Sequence, residues 1–100
     1  MALTLGGCGS TPTLPLPPPV ASVSAPNLQG LVRVEGQANE DAFVTVFNED
    51  TNDGAIRRAE PDGHYAIDIA AEVGDRLVIW QELDGVPGER STQTVPGLAP

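Results

Sequence analysis

From Leu31 onward the apolar residues of this chain fall on every second position. Val32 and Val34 alternate with Arg33 and Glu35. Ala42, Val44 and Val46 alternate with Phe43, Thr45 and Phe47. Tyr65, Ile67 and Ile69 alternate with Ala66 and Asp68, and Leu77 and Ile79 with Arg76 and Val78. A period of two places one set of side chains on the buried face of a strand and the other outward, whereas a helix needs 3.6. Turn-forming clusters separate these runs: Asn39-Glu40-Asp41, Asn52-Asp53-Gly54, Pro61-Asp62-Gly63, Gly74-Asp75 and Asp84-Gly85-Val86-Pro87-Gly88. Their spacing of about ten residues suits a sandwich or barrel. The pattern predicts strands over 20–24, 30–37, 42–49, 54–59, 64–70, 76–82 and 89–95. The one helical candidate, Ala70-Ala71-Glu72-Val73, is too short and runs into Gly74. The expected fold class is all-β: a small antiparallel Ig-like or prealbumin-like β-sandwich of about seven strands behind a disordered Pro-rich N-terminal segment.

Charge divides the chain. Residues 1–30 carry no charged side chain, while all five arginines and all fourteen acidic residues lie between Arg33 and Arg90. The expected organisation is a lipobox-like head over 1–8, a Pro-rich linker over 9–28 and a folded domain over 29–97. A domain of some seventy residues buries only about 60% of its unfolded surface and leaves little room for a deep active site. The net charge of −9, without lysine, argues against nucleic acid, because phosphate binding needs clustered cations. It argues equally against docking on an anionic lipid surface. No apolar run approaches the roughly 18 residues that span a bilayer.

The single cysteine, Cys8, excludes an intrachain disulfide. Its context, Leu5-Gly6-Gly7-Cys8-Gly9-Ser10, resembles the bacterial lipobox. That resemblance implies a diacylglyceryl group on the Cys8 thiol, cleavage just before it, and export to the cell envelope. Gly9, not being Asp, fits transfer to an outer membrane. A signal peptide also needs a basic region and an apolar stretch. Only Met1–Leu5 stand before the site, so lipidation requires further residues upstream of Met1. The alternative is a free thiol in the tail. Residues Ser10–Pro19 hold five prolines, which fix φ and favour polyproline II. At about 3.1 Å per residue, the steps from Cys8 to Val20 span roughly 37 Å. This head is expected to contribute little to folding.

Three further stretches carry a second resemblance. Ala42-x-Val44-x-Val46-x-Asn48, Asp62-Gly63-His64-Tyr65-x-Ile67 and Gly74-Asp75-Arg76-Leu77-x-Ile79 resemble the carboxypeptidase regulatory-like family of bacterial Ig-like domains, over roughly residues 30–95. The resemblance implies a noncatalytic spacer, docking or binding module. At Arg57–Pro61 relatives usually carry Thr and Asp, and the register there is left open.

Residue chemistry points the same way. His64 is the only histidine and stands beside a turn. Nucleophilic catalysis needs Ser or Cys beside an oriented base, and neither Cys8 nor Ser91 can be paired with one from the sequence. One His and one distant Cys do not make a zinc site. The stretch Asn48-Glu49-Asp50-Thr51-Asn52-Asp53-Gly54 places oxygen ligands at alternate positions, so Asn48, Asp50, Asn52 and Asp53 form a candidate calcium set. It departs from an EF-hand loop, with Asp53 at the sixth position and Ala59 where the bidentate Glu belongs.

If Val44, Val46, Leu77 and Ile79 face the core, then Phe43, Phe47, Val78 and Trp80 face away. With the third and sixth strands adjacent, these four share one outer face, and exposed apolar clusters often mark contacts. The competing possibility is that an edge loop or the Pro-rich segment covers them. The expected function is a noncatalytic cell-envelope lipoprotein module, periplasmic or surface-facing, acting in binding or structural spacing. It needs no cofactor. Its partners are the membrane, through a lipid on Cys8, and a protein or polysaccharide of the envelope. The alternatives are a calcium-dependent accessory or adhesion module and, behind it, a small envelope hydrolase.

Overall fold

The computed structural model describes residues 16–97. Eight strands are present and no helix among these residues: β1 Val20–Val23, β2 Leu31–Gln37, β3 Phe43–Asn48, β4 Asp53–Arg58, β5 His64–Ala70, β6 Arg76–Leu83, β7 Val86–Pro87 and β8 Ser91–Thr94. They form two antiparallel sheets. One has the order β1-β2-β5; the other runs β4-β3-β6, with β7 and β8 both on the far edge of β6. The small all-β sandwich expected from the alternation is therefore the observed fold. Its fourth strand pairs with β3 rather than joining the sheet of β1, β2 and β5, as a fourth strand does in the Ig constant-type order.

The core is the inward half of each alternation. Val32, Val34, Val44, Val46, Leu77 and Ile79 are fully buried, and Tyr65, Ile67 and Ile69 nearly so. Burying an aliphatic side chain of this size is worth about 1.5–3 kcal/mol, and here both sheets supply several. The helical candidate at Ala70–Val73 is the end of β5 followed by a turn, in which Asp75 N–H donates to the Glu72 carbonyl at 3.0 Å.

Register at Arg57–Pro61 is now defined. Phe43 lies opposite Arg58, Thr45 opposite Ile56 and Phe47 opposite Gly54. The chain then leaves the sheet: Ala59 N–H donates to Ala42 O at 2.8 Å, and Gly63 N–H closes the Glu60–Gly63 turn at 2.7 Å. Asp62 Oδ1 accepts from His64 N–H at 2.9 Å, which directs the chain into β5.

The strand expected over 89–95 is β8, and a further short strand, β7, lies before it within the stretch expected as a turn. Leu83-Asp84-Gly85-Val86 is a two-residue hairpin with positive φ at Asp84 (54°) and Gly85 (80°), the I′ geometry that Asp-Gly favours. β7 follows in register, with Pro87 opposite Glu82. β8 resumes with Ser91 opposite Ile79. Gly88, Glu89 and Arg90 thus face only Gln81 and Trp80. This is a β-bulge, one extra residue that bends the strand and re-aims its side chains.

The boundary at residue 28 is corrected. Residues 16–28, which composition assigns to the linker, contain β1 and a docked Pro-rich run. Val20–Val23 pair with Val34–Gln37 of β2. Leu16 O accepts from Glu89 N–H at 2.8 Å, Pro17 O accepts from Gln81 Nε2 at 2.9 Å, and Pro19 is buried. Prolines lack a donor but keep their carbonyls, so a Pro-rich segment can bind a sheet edge as an acceptor only. Gln93 Nε2 donates to Ala21 O at 3.1 Å, tying β8 to β1 across the sandwich edge. Cys8, the lipobox-like residues and the linker up to residue 15 lie outside the described residues.

Candidate functional site

The candidate surface is the outward face of the β4-β3-β6-β8 sheet. Parity fixes which side chains reach it. β3 sends out Phe43, Thr45 and Phe47, and β6 sends out Val78, Trp80 and Glu82. Trp80 lies opposite Thr45, Phe47 opposite Val78 and Phe43 opposite Glu82. From β4 come Ile56 and Arg58, and from the bulge comes Arg90.

The structure brings the four sequence-predicted residues onto one face but does not expose them equally. Phe43 is 49% exposed, whereas Val78 is only 7% exposed. The Phe47 ring occupies the space a side chain at Gly54 would take, its Cδ1 lying 3.3 Å from where a Cβ would stand. Phe47 is half-buried and Val78 is buried, and the expectation of an exposed Val78 is corrected. Trp80 is half-buried. The Arg90 guanidinium lies over its ring at 4.6 Å from the centroid, within cation–π range. Arg58 sits 5.9 Å from the Phe43 ring and 3.7 Å from Asp41.

Ile56, which sequence reasoning missed, is 67% exposed and stands across Thr45 from Trp80. The stretch Asp53-Gly54-Ala55-Ile56-Arg57-Arg58 has no alternation to reveal its faces, and only pairing with β3 does so. The resulting centre is Phe43, Ile56 and Trp80, flanked by Arg58 and Arg90.

Arg90 owes its place to the bulge, and the bulge is held from outside. Leu16 lies so close to Gly88 that a Cβ there would stand 2.7 Å from Leu16 O and 2.9 Å from Leu16 Cβ. The glycine lets the Pro-rich run reach Glu89 N–H. The described prolines thus contact the sheet edge, and Gln81 on the opposite face from Trp80, instead of lying across the aromatic face.

The other candidates take different places. His64 is on the outer face of β5, with Nε2 3.7 Å from Glu35 and Nδ1 3.7 Å from Glu60. Ser91 points inward from β8, in the other sheet, with its hydroxyl buried and no hydrogen-bond partner among the described residues. The two make no nucleophile–base pair. Arg33 and Asp68 satisfy each other at 3.0 and 3.3 Å, and the Arg33 hydrogen bond holds the Asp68 carboxyl below the usual range.

The calcium set is spent on the β3–β4 hairpin. Asn48 is fully buried; its Oδ1 accepts from Asp50 N–H at 2.9 Å and its Nδ2 donates to Asp75 at 2.9 Å. Asp50 accepts from Arg76 N–H at 2.8 Å. Asp53 accepts from the Thr51 hydroxyl at 3.3 Å. Asn52 takes the left-handed turn position, φ 65°. Among the described residues no three His, Cys, Asp or Glu side chains gather as a metal site. The chain matches no protein-family model, no curated protein and no solved structure.

Proposed function

We propose that this chain is a noncatalytic binding module of the bacterial cell envelope, tethered through a lipid on Cys8, with its contact surface on the outward β4-β3-β6-β8 face. One observation carries the reading. Phe43, Ile56 and Trp80 stand together on three adjacent strands, on the side away from the core, with an arginine at each end. Aromatic and Arg side chains dominate binding energies at contact surfaces, and Phe43 and Ile56 are 49% and 67% exposed side by side on this face. The lipobox resemblance and the Pro-rich run before Leu16 supply the address and the tether. The calcium alternative is not carried forward, since Asn48, Asp50 and Asp53 already serve the hairpin.

Two arms test the proposal. Expressed with natural upstream codons, the wild-type chain should partition into detergent and Cys8→Ser should not; equal partitioning rejects the anchor. The Cys8→Ser chain, purified and added to isolated envelopes, should still pellet with them. Phe43→Ala or Trp80→Ala should release it. Retention unaffected by either substitution rejects this face as the contact.

A further inference from the structure

We infer that the free edge of β5 is a second contact site, which takes an extended peptide segment carrying an acidic side chain. It does not depend on the aromatic face being a contact surface. β4 and β5 end their sheets on the same side of the sandwich, and no ladder joins them. An open groove of about 460 Å³ runs between them, lined by Ala55, Ile56 and Arg57 on one side and Ala66, Ile67 and Asp68 on the other. The opposite side of the sandwich is already occupied: Leu16 O takes Glu89 N–H, and Gln93 Nε2 reaches Ala21 O.

Hydrogen bonds fix which way the β5 backbone faces. Gly63 O accepts from Ala38 N–H and Ala71 N–H donates to Gly30 O, both toward β2. Alternation then turns the N–H and C=O of His64, Ala66, Asp68 and Ala70 away from β2. His64 is paired there, its O with Glu60 N–H and its N–H with Asp62 Oδ1, each at 2.9 Å. Ala70 O accepts from Asn48 Nδ2 at 3.4 Å. The N–H and C=O of Ala66 and Asp68 and the N–H of Ala70 have no partner among the described residues. Donors and acceptors alternating at strand spacing are complemented by another extended backbone. The devices that commonly blunt an edge are missing from β5: His64–Ala70 holds no proline and no lysine, and its register with β2 runs without a bulge.

Arg57 sets the charge of the segment. It stands opposite Val44, on the core side of β4, yet it is exposed where the groove opens. The Arg33 hydrogen bond and, behind it, the Arg57 charge hold the Asp68 carboxyl low, which places Arg57 toward β5. Arg33, Arg58 and Arg76 pair with Asp68, Asp41 and Asp50, and Arg90 lies over Trp80. Arg57 has no ion-pair partner among the described residues, and a carboxylate on the added segment supplies one. A second copy of this chain is the poorer occupant. Paired edge to edge, it brings another Arg57 to the same groove and a further charge of −9.

The test pans a display library of short random peptides on the full Cys8→Ser chain. Selected peptides should alternate apolar and polar residues and include an acidic one. Strand pairing on one edge uses every second N–H of the peptide. Methylating one alternate set of its amide nitrogens should therefore weaken binding about tenfold or more, and methylating the other set should not. Arg57→Ala should weaken binding roughly fivefold, and the amide form of the peptide's acidic residue should bind wild type and Arg57→Ala alike. Ala66→Pro removes one outward N–H and leaves the β2 ladder intact, so it should abolish binding; if its melting curve shows that it does not fold, the methylated peptides decide. Trp80→Ala should leave the affinity unchanged. No selected peptide, or binding indifferent to amide methylation, overturns the inference. Sedimentation that shows self-association lost in Ala66→Pro assigns the edge to a second copy and overturns it too. Peptide binding that needs Trp80 assigns the peptide to the aromatic face and removes the β5 site alone.

Discussion

The Tyr65 hydroxyl donates a 2.7 Å hydrogen bond to the Val20 carbonyl. That carbonyl lies directly above Gly36, where any Cβ would collide with it. A core residue of β5 thus holds the first strand in place through the space a glycine leaves empty. Removal of residues 1–28 deletes that acceptor, the partner of Gln81 and all of β1. The shortened chain should melt more than about 10 °C below the full one, since 1 kcal/mol moves a domain of this size by about 4–8 °C. An unchanged melting temperature would show that β1 is dispensable.

Burial pushes the Tyr65 phenol up to about 12. A group whose folded pKa is raised stabilises fully below its unfolded value, about 10, and loses that contribution as pH rises through the folded value. Denaturant midpoints should fall between pH 10 and 12, and Tyr65→Phe should flatten this limb. At neutral pH the same substitution should cost about 0.5–1.5 kcal/mol, the net worth of one hydrogen bond.

The acid limb has a different origin. The Asp75 carboxyl accepts from Asn48 Nδ2 and from Glu72 N–H, both at 2.9 Å, and these bonds hold it below the usual carboxylate range. A depressed pKa stabilises above the unfolded value and is lost as pH falls through the folded one. Asp75→Asn keeps an acceptor oxygen but cannot titrate, so the fall in stability below about pH 4 should be shallower. An identical acid limb would assign it to other carboxylates.

Leu77 of β6 is fully buried. Leu77→Ala should cost about 2–5 kcal/mol by urea denaturation, as core truncations do. Near-native stability would reverse the inner and outer faces of β6 and with them the candidate surface.

The contact between Arg90 and Trp80 should be readable by light. Arg90→Ala uncovers the indole, so Trp80 emission should shift to the red and acrylamide quenching should increase. Gly88→Ala should do the same at a distance, because its Cβ would crowd Leu16 and disturb the bulge that places Arg90. If Gly88→Ala leaves Trp80 unchanged, the Pro-rich run does not position Arg90.

Strands with strict alternation were legible residue by residue. In β5 the buried half is the half that period two selects; in β3 and β6 that half is buried too, but so are Thr45 and Val78 on the outward side, and the Asp62-Gly63 and Asp84-Gly85 turns lie where their chemistry puts them. β4 was legible as a strand but not in its faces, so Ile56 went unnoticed. Val78 was placed on the correct face yet wrongly taken as exposed, because it lies on a central strand between β3 and β8, a placement that alternation within β6 does not reveal. The Pro-rich run misled for a similar reason. Proline density forbids donating to a sheet and says nothing about accepting from one, as Pro17 does from Gln81.

The most direct test of the account is hydroxyl-radical footprinting of the full chain bound to isolated bacterial envelopes against the same chain purified and free. Protection should appear at Phe43, Ile56 and Trp80, while exposed Val73 and Val86, off the face, react equally in both states. Equal reactivity of Phe43, Ile56 and Trp80 in the two states would contradict the assignment of this face as the contact surface.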